Sequence, residues 1–346
     1  MTSVTAAVVV CAYTLERWDD ITEALASAAR QDRAPDELWL VVDHNDELFE
    51  RAGRELVAVH PELKVLPNLR TRGLSGARNT ALEHVTTDIV VFLDDDAAAA
   101  TTDWLGRLLE PYRDERVIAV GGSAVPRWPE GQGRPRTLPV GRGTARGELD
   151  WVVGCTYRGQ PETQQGVRNL MGCNMSFRRE VFTAAGGFGE HLGRVGKTPL
   201  GCEETELCIR AQRTRSGSSI IFQPTAEVRH HVSLDRLTWR YLLRRCYAEG
   251  LSKAAVSRMV GQDQALSTER RYASRVLPAA VLREVASAVS PGPGHRGPHL
   301  HGAAAVVLGL AATTIGYVRG RASSLDAAAA PVPVLRLHDR APTEPA

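Results

Sequence analysis

Ile89-Val90-Val91-Phe92-Leu93-Asp94-Asp95-Asp96 decides how this chain reads: five apolar residues run directly into three carboxylates. The apolar run is short and apolar at successive positions, so it reads as a central strand buried on both faces. Three adjacent carboxylates repel one another and cannot be buried unpaired. They must emerge at the strand's C-terminal end, where open α/β sheets place their ligands. An oxygen-rich group of this kind suits Mg²⁺ or Mn²⁺. The competing reading is a solvated acidic turn that caps a helix near Asp103.

Outward from this stretch, strand and helix patterns alternate. Thr5–Cys11 and Leu38–Val42 are further buried strands, ended by Ala12-Tyr13-Thr14 and by Asp43-His44-Asn45-Asp46. Leu63–Leu66 is a short strand and Val117–Val120 another. Ile21, Ala24, Leu25, Ala28 and Ala29 fall on one helical face, as do Trp104, Leu105, Leu108, Leu109 and Tyr112. A helix is expected from Glu47 to Val59, and another from a Ser75 cap after the loop Thr71–Gly76. Such alternation implies an α/β fold with a mainly parallel sheet. Beyond Pro126 the period is lost until Gly147, which reads as a mobile loop over the site. Leu170–Phe177 and Ser219–Phe222 are strands, and His191–Gly201 is a loop. A helix opens at Glu203-Glu204-Thr205-Glu206, and long helices follow at Leu237–Arg258 and Arg275–Val289.

The 346 residues are 43% hydrophobic and 24% charged, which suits one large catalytic domain plus an appendage. A net charge of +2 argues against nucleic acid as a partner. The six cysteines form no C-x-x-C pair and read as reduced, mostly buried thiols of a cytoplasmic protein. The N-terminus lacks a basic region, so no secretory leader is expected. Residues 291–301 read as a Pro/Gly/His linker. Gly302–Val318 is an uncharged apolar run, about 25 Å long as a helix against a bilayer core of roughly 30 Å. Spanning the membrane, lying in its interface and docking on the protein all stay open. The flanking Arg296, Arg319 and Arg321 favour peripheral contact through 302–321 with an anionic cytoplasmic leaflet. Residues 322–346 read as a disordered tail.

Seven motifs then stand in order. They are the loops Cys11-Ala12-Tyr13-Thr14 and Asp43-His44-Asn45, the segment Arg72–Asn79, Asp94-Asp95-Asp96, Gly172–Glu180, Gly186-Gly187-Phe188 and Glu203–Leu207. Together they resemble a family 2 glycosyltransferase with a Rossmann-like GT-A fold, over roughly residues 4–255. The resemblance implies a transferase domain at 1–255, a helical extension at 256–290, the linker, and an apolar helix at 302–321. It implies an inverting, metal-dependent transfer from a nucleotide-diphospho-sugar, with UDP the expected nucleotide, and Mg²⁺ or Mn²⁺ as cofactor. The acceptor would be a glycan or a polyprenyl-phosphate-type lipid.

Position by position, the resemblance makes Asp96 and Asp94 metal ligands, with His230 completing the metal shell or contacting the diphosphate. Asp94 or Asp95 would reach the donor ribose or a metal water. Ala12, Tyr13, Asp43 and Gly73 match donor-binding positions, and Arg78 the arginine near the diphosphate. His44 departs from the family pattern, which puts the identity of the base in doubt. Glu204 falls where relatives carry the general base, one methylene longer than usual, with Glu203 as the fallback. Glu206 would touch sugar or acceptor, and Arg244 and Arg245 would close over the donor. Two competing classes are weaker. A sugar nucleotidylyltransferase would carry a Gly-rich basic loop where Ala12–Glu16 stand, and a non-catalytic nucleotide-sugar binder would not need to keep every carboxylate.

Overall fold

The computed structural model describes residues 4–140, 146–192, 201–289 and 296–322, together with Pro333, Leu335 and Leu337. The buried apolar runs form the strands expected of them: β1 (Ala6–Ala12), β2 (Glu37–Val42), β3 (Leu63–Pro67) and β4 (Ile89–Asp94). The intervening helices are α1 (Trp18–Ala29), α2 (Asp46–Arg51) running through a π turn into α3 (Val57–Val59), and α4 (Leu74–His84). The four strands are parallel in the order β3-β2-β1-β4. Chain direction across the sheet reverses between β1 and β4, and the crevice beyond their C-terminal ends is where such sheets bind ligands.

The second half of the sheet is mixed. The carboxylates turn at once into β5 (Ala97–Ala99), and α5 (Trp104–Leu109) leads to β6 (Val117–Arg127). After β7 (Gln165–Gly166) come β8 (Asn174–Arg178), α6 (Glu180–Ala185), α7 (Glu203–Thr214) and β9 (Ser219–His231). The order continues β4-β8-β6-β9-β5, with β8 antiparallel to β4 and β6, and β9 parallel to β6. β6 is longer than expected because Gly121 and Gly122 are strand residues. A side chain on Gly122 would collide with the Ala226 carbonyl of β9. β9 likewise runs unbroken through Pro224, at an irregularity in its register with β6.

Two cores cover the sheet. One packs Val8, Val10, Leu40 and Val91 under Ile21, Leu25 and Trp104; the other packs Val9, Phe92 and Phe177 with Phe182 and Phe188. Leu335 and Leu337 lie against the second core, and Gly187 N donates to Pro333 O, so these three tail positions are seated on the domain; the rest of the expected tail lies outside the described residues. Residues 141–145 of the expected Pro126–Gly147 loop and 193–200 of the His191–Gly201 loop also lie outside them. The former loop is anchored where it is described: Leu138 is buried and Arg134 is paired with Asp150. All six cysteines are free thiols, five of them buried.

The C-terminal part is helical: α8 (Trp239–Val260), α9 (Gln262–Ala265), α10 (Ser267–Arg271), α11 (Leu277–Val289) and α12 (Arg296–Ala322). The linker expected at 291–301 is helical from Arg296, because a proline in a helix's first turn has no bonded N–H to lose. Among the described residues α12 is the one helix long and apolar enough to cross a membrane. It lies along α8 through a glycine seam. Gly316 sits against the Tyr247 carbonyl and Gly250 Cα, and Gly309 lies against Cys246. Its other face exposes Val307, Leu308, Ile315 and Val318. A Gly316→Val substitution should therefore unseat α12, costing about 1–3 kcal/mol by overpacking. Protease cleavage within α12 should accelerate; unchanged protection and melting temperature would contradict the seam.

Candidate active site

Asp94 ends β4 and Asp95-Asp96 make the turn into β5. β5 pairs antiparallel with β9, Ala97 opposite His230, which delivers that histidine to the carboxylates. His230 Nε2 lies 3.2 Å from Asp96 Oδ1. The histidine packs tightly beneath Gly154, whose φ of +84° favours glycine and where a Cβ would stand 2.8 Å from His230 Cε1. Asp94, Asp96 and His230 each offer a ligand atom, all within 4.8 Å of one another. Two carboxylate oxygens and an imidazole fit Mn²⁺ or Mg²⁺. Asp95 Oδ2 and His230 Nδ1 are buried without a hydrogen-bond partner, as expected where further coordination or bridging remains to be made.

Cations from distant segments meet this charge. Arg17 lies 2.6 Å from Asp95 and 3.2 Å from Asp96, and Arg236 lies 3.0 Å from Asp96. Burial works against ionising Asp96, but His230, Arg17 and Arg236 outweigh it and hold its carboxyl well below the usual range. Asp95 goes the other way. Burial pushes it up to about 7 in spite of Arg17, with Asp96 and Asp94 adding to the rise. Neither Arg17 nor Arg236 was evident in the sequence; their only signal is proximity, Arg17 just after the first loop and Arg236 six residues after His230.

The expected donor-side loops come together at the ends of β1 and β2. Asp43 N donates to Ala12 O at 2.7 Å, and Asn45 Nδ2 to Tyr13 O at 3.0 Å. The Asp43 carboxylate accepts from Asn68 Nδ2 at 2.6 Å and Gly73 N at 2.9 Å, and lies 2.8 Å from His44 Nδ1. Gly73, at φ +128°, holds the N-cap position of α4, so Ser75 is not the cap; its hydroxyl donates to Leu192 O instead. Arg78 is 1% exposed and turned inward. It donates to Glu203 at 2.9 Å, to Asp94 at 3.3 Å and to Gly172 O at 3.0 Å. Its guanidinium thus ties the strand carboxylates to α7.

α7 opens with Glu203 and Glu204, whose charge suits a helix N-terminus. Both line a cavity of about 480 Å³; Glu203 is buried with one oxygen on Arg78, whereas Glu204 is half-buried and has no cation paired with it among the described residues. Burial, and then the neighbouring Glu203, push the Glu204 carboxyl up to about 8. Asp94, His230 and Arg236 line the same cavity. Glu206 does not: it is buried against Arg210 at 2.7 Å, and Arg210 also donates to the Gly187 carbonyl, which corrects the expectation of a sugar or acceptor contact. Of the basic pair on α8, Arg245 lines the cavity, held by Glu249 at 2.8 Å, while Arg244 is exposed on the helix's outer side. His231 pairs with Asp20 at 2.7 Å.

With this geometry in hand, comparison with known proteins is specific. Residues 7–185 match the family model described as Glycosyl transferase family 2. The chain is 34% identical over 256 residues to a glucosyl-dolichyl phosphate glucuronosyltransferase of Haloferax volcanii, covering 74% of this chain and 78% of that protein. It is 29% identical over 253 residues to the succinoglycan biosynthesis protein ExoM of Rhizobium meliloti, covering 70% and 71%. Among solved structures, it resembles a mannosyltransferase of Pyrobaculum calidifontis in complex with GDP-mannose and Mn²⁺. The TM-score is 0.61 at 20% identity, with 92% of this chain and 88% of that one covered. GalNAc-T7 with UDP, GalNAc and Mn²⁺ is similar at TM-score 0.51 and 15% identity, over 82% and 58%. Both likenesses show a shared fold.

Arg78 is the test of how the site is held together. Arg78→Met would leave Glu203 and Asp94 without their shared cation, and should destabilise the chain by about 3–5 kcal/mol. Chemical denaturation reads this directly; a midpoint within error of the unsubstituted protein would show that the three residues are not energetically linked.

Proposed function

The chain belongs to glycosyl transferase family 2, and from that premise we propose that it is an inverting, metal-dependent transferase. The donor is a nucleotide-diphospho-sugar, with UDP the nucleotide we favour. The acceptor is a hydroxyl of a polyprenyl-phosphate-linked sugar, the class named for the Haloferax relative. One observation carries this reading: the Asp94–His230 cluster and Glu204 face a single cavity. Asp94, Asp96 and His230 hold the divalent ion, which when bound offsets the charge of the departing nucleoside diphosphate. Ala12, Tyr13, Asp43, His44 and Gly73 form the wall for the base and ribose. Arg17 and Arg236 keep the carboxylates oriented, and Arg78 fixes their distance from α7. Glu204 takes the proton of the acceptor hydroxyl as it attacks the anomeric carbon from the face opposite the leaving group.

Two substitutions separate the halves. Asp96→Asn should lose donor turnover, and Mn²⁺-dependent binding of UDP with it. Glu204→Gln should bind Mn²⁺ and UDP as before and lose transfer by about two orders of magnitude or more. Full turnover in either variant would remove that residue from its role. The base must be deprotonated, and its carboxyl is raised to about 8. In the free enzyme kcat/KM should therefore fall about tenfold for each pH unit below 8 and level off above it. A profile flat between pH 6 and 8 would contradict Glu204 as the base.

We place the protein at the cytoplasmic face of the membrane, resting on the exposed side of α12. Val307, Leu308, Ile315 and Val318 face outward there, and Arg319 and Arg321 stand in its last turn. Co-sedimentation with anionic liposomes should exceed that with neutral ones, and Ile315→Glu should reduce both. Protein that stays in the supernatant with anionic vesicles would overturn this placement.

A further inference from the structure

The cavity that holds Glu204 has a second charged group that the transfer step does not use. Arg168 donates to both oxygens of Glu269, each at 2.7 Å. Lys253 Nζ lies 2.6 Å from Glu269 and 3.6 Å from Glu249, and Arg245 lies 2.8 Å from Glu249. All five line the cavity. Burial opposes ionisation of both carboxylates, but Arg245 and Lys253 hold Glu249 below the usual range, and Lys253 and Arg168 hold Glu269 down to about 2. Three cations thus share two carboxylates. All three cationic side chains border the cavity, and charged groups held at a cavity wall away from water favour an oppositely charged occupant.

The opposite wall has the other chemistry. Leu277 of α11 and Gly309, Leu310 and Thr313 of α12 line it. Leu310 also reaches the surface, on the helix whose exposed residues include Val307, Leu308 and Ile315. The cavity therefore has cations on one part of its wall and apolar groups of α11 and α12 on another, and Leu310 belongs to both the cavity wall and the exposed residues of α12.

We infer that this cavity is a phosphoryl subsite for a lipid-linked acceptor: Arg168, Lys253 and Arg245 take the phosphate, and the apolar chain leaves past Leu310. The inference rests on the transferase reading above for the place of the acceptor sugar beside Glu204. Free phosphate would use the cations and not the wall.

Calorimetry on the full chain, without nucleotide, distinguishes these using farnesyl phosphate, farnesol and inorganic phosphate. Farnesyl phosphate should bind at least tenfold more tightly than either of the others. Arg168→Gln and Lys253→Gln should each remove tenfold or more of that affinity and leave Mn²⁺–UDP binding within twofold. Lys253 is buried, so Leu310→Glu at the exposed exit gives a second test: it should weaken farnesyl phosphate and leave inorganic phosphate unchanged. Equal binding of farnesol and farnesyl phosphate, or full affinity in the Arg168 and Leu310 variants, would overturn the subsite. Inorganic phosphate binding as tightly as farnesyl phosphate would overturn its lipid assignment. Absence of Mn²⁺–UDP binding in the unsubstituted protein would instead refute the donor reading, and the nucleotide-free comparison is unaffected by it.

Discussion

Three carboxylates crowded at the end of one buried strand are the constraint on which the rest of this structure depends. Asp95 and Asp96 are 5% and 6% exposed, so water cannot dissipate their repulsion. The fold answers with groups drawn from across the chain: Arg17 before α1, Arg78 on α4, His230 on β9 and Arg236 ahead of α8. Each must be held in place by its own element. Hence β5 pairs with β9, Gly154 makes room for the histidine, and α7 is tied back through Glu203. The balance also divides the carboxylates. His230, Arg17 and Arg236 hold Asp96 well below the usual carboxylate range, whereas burial pushes Asp95 up to about 7.

Much of this was legible locally. β4 announces itself by five apolar residues, and α1 by its spacing, because burial on one or both faces leaves a periodic mark. Asp94, Asp96 and His230 were expected together and stand together. Sequence ranked Glu204 ahead of Glu203, and the structure adds a physical difference between them: both border the cavity, but Arg78 pairs with Glu203. What stayed hidden depends on long-range approach. Arg17, Arg236, Arg168 and Glu269 carry no periodic signal, and their pairings span 78, 140 and 101 residues. Gly121-Gly122 and Pro224 look like strand breakers, yet Gly121 makes room for the Leu170 side chain, Gly122 lies against the Ala226 carbonyl, and β9 shifts register near Pro224. Glu206 resembled its neighbours in type and helical face, but Arg210 one turn on claims it.

The apolar run near the C-terminus shows the same limit. Length and hydrophobicity admit spanning, lying flat or docking, because all three need an apolar stripe. Gly316 and Gly250 let α12 approach α8 to backbone contact, while the outward face keeps its large side chains exposed. The same helix supplies Leu310 to the cavity of Glu204, so the helix we propose to rest on lipid also lines the cavity we assign to the acceptor.

The site proposed here is two-sided: the leaving group at the Asp94–His230 cluster and the activated nucleophile at Glu204, which together call for a single displacement without a covalent sugar intermediate. Its most direct test is the anomeric configuration of the first product formed from a nucleotide-sugar of known configuration, followed by proton NMR before any equilibration. The account predicts inversion, an α-linked donor giving a β-linked product. Retention of configuration would contradict it.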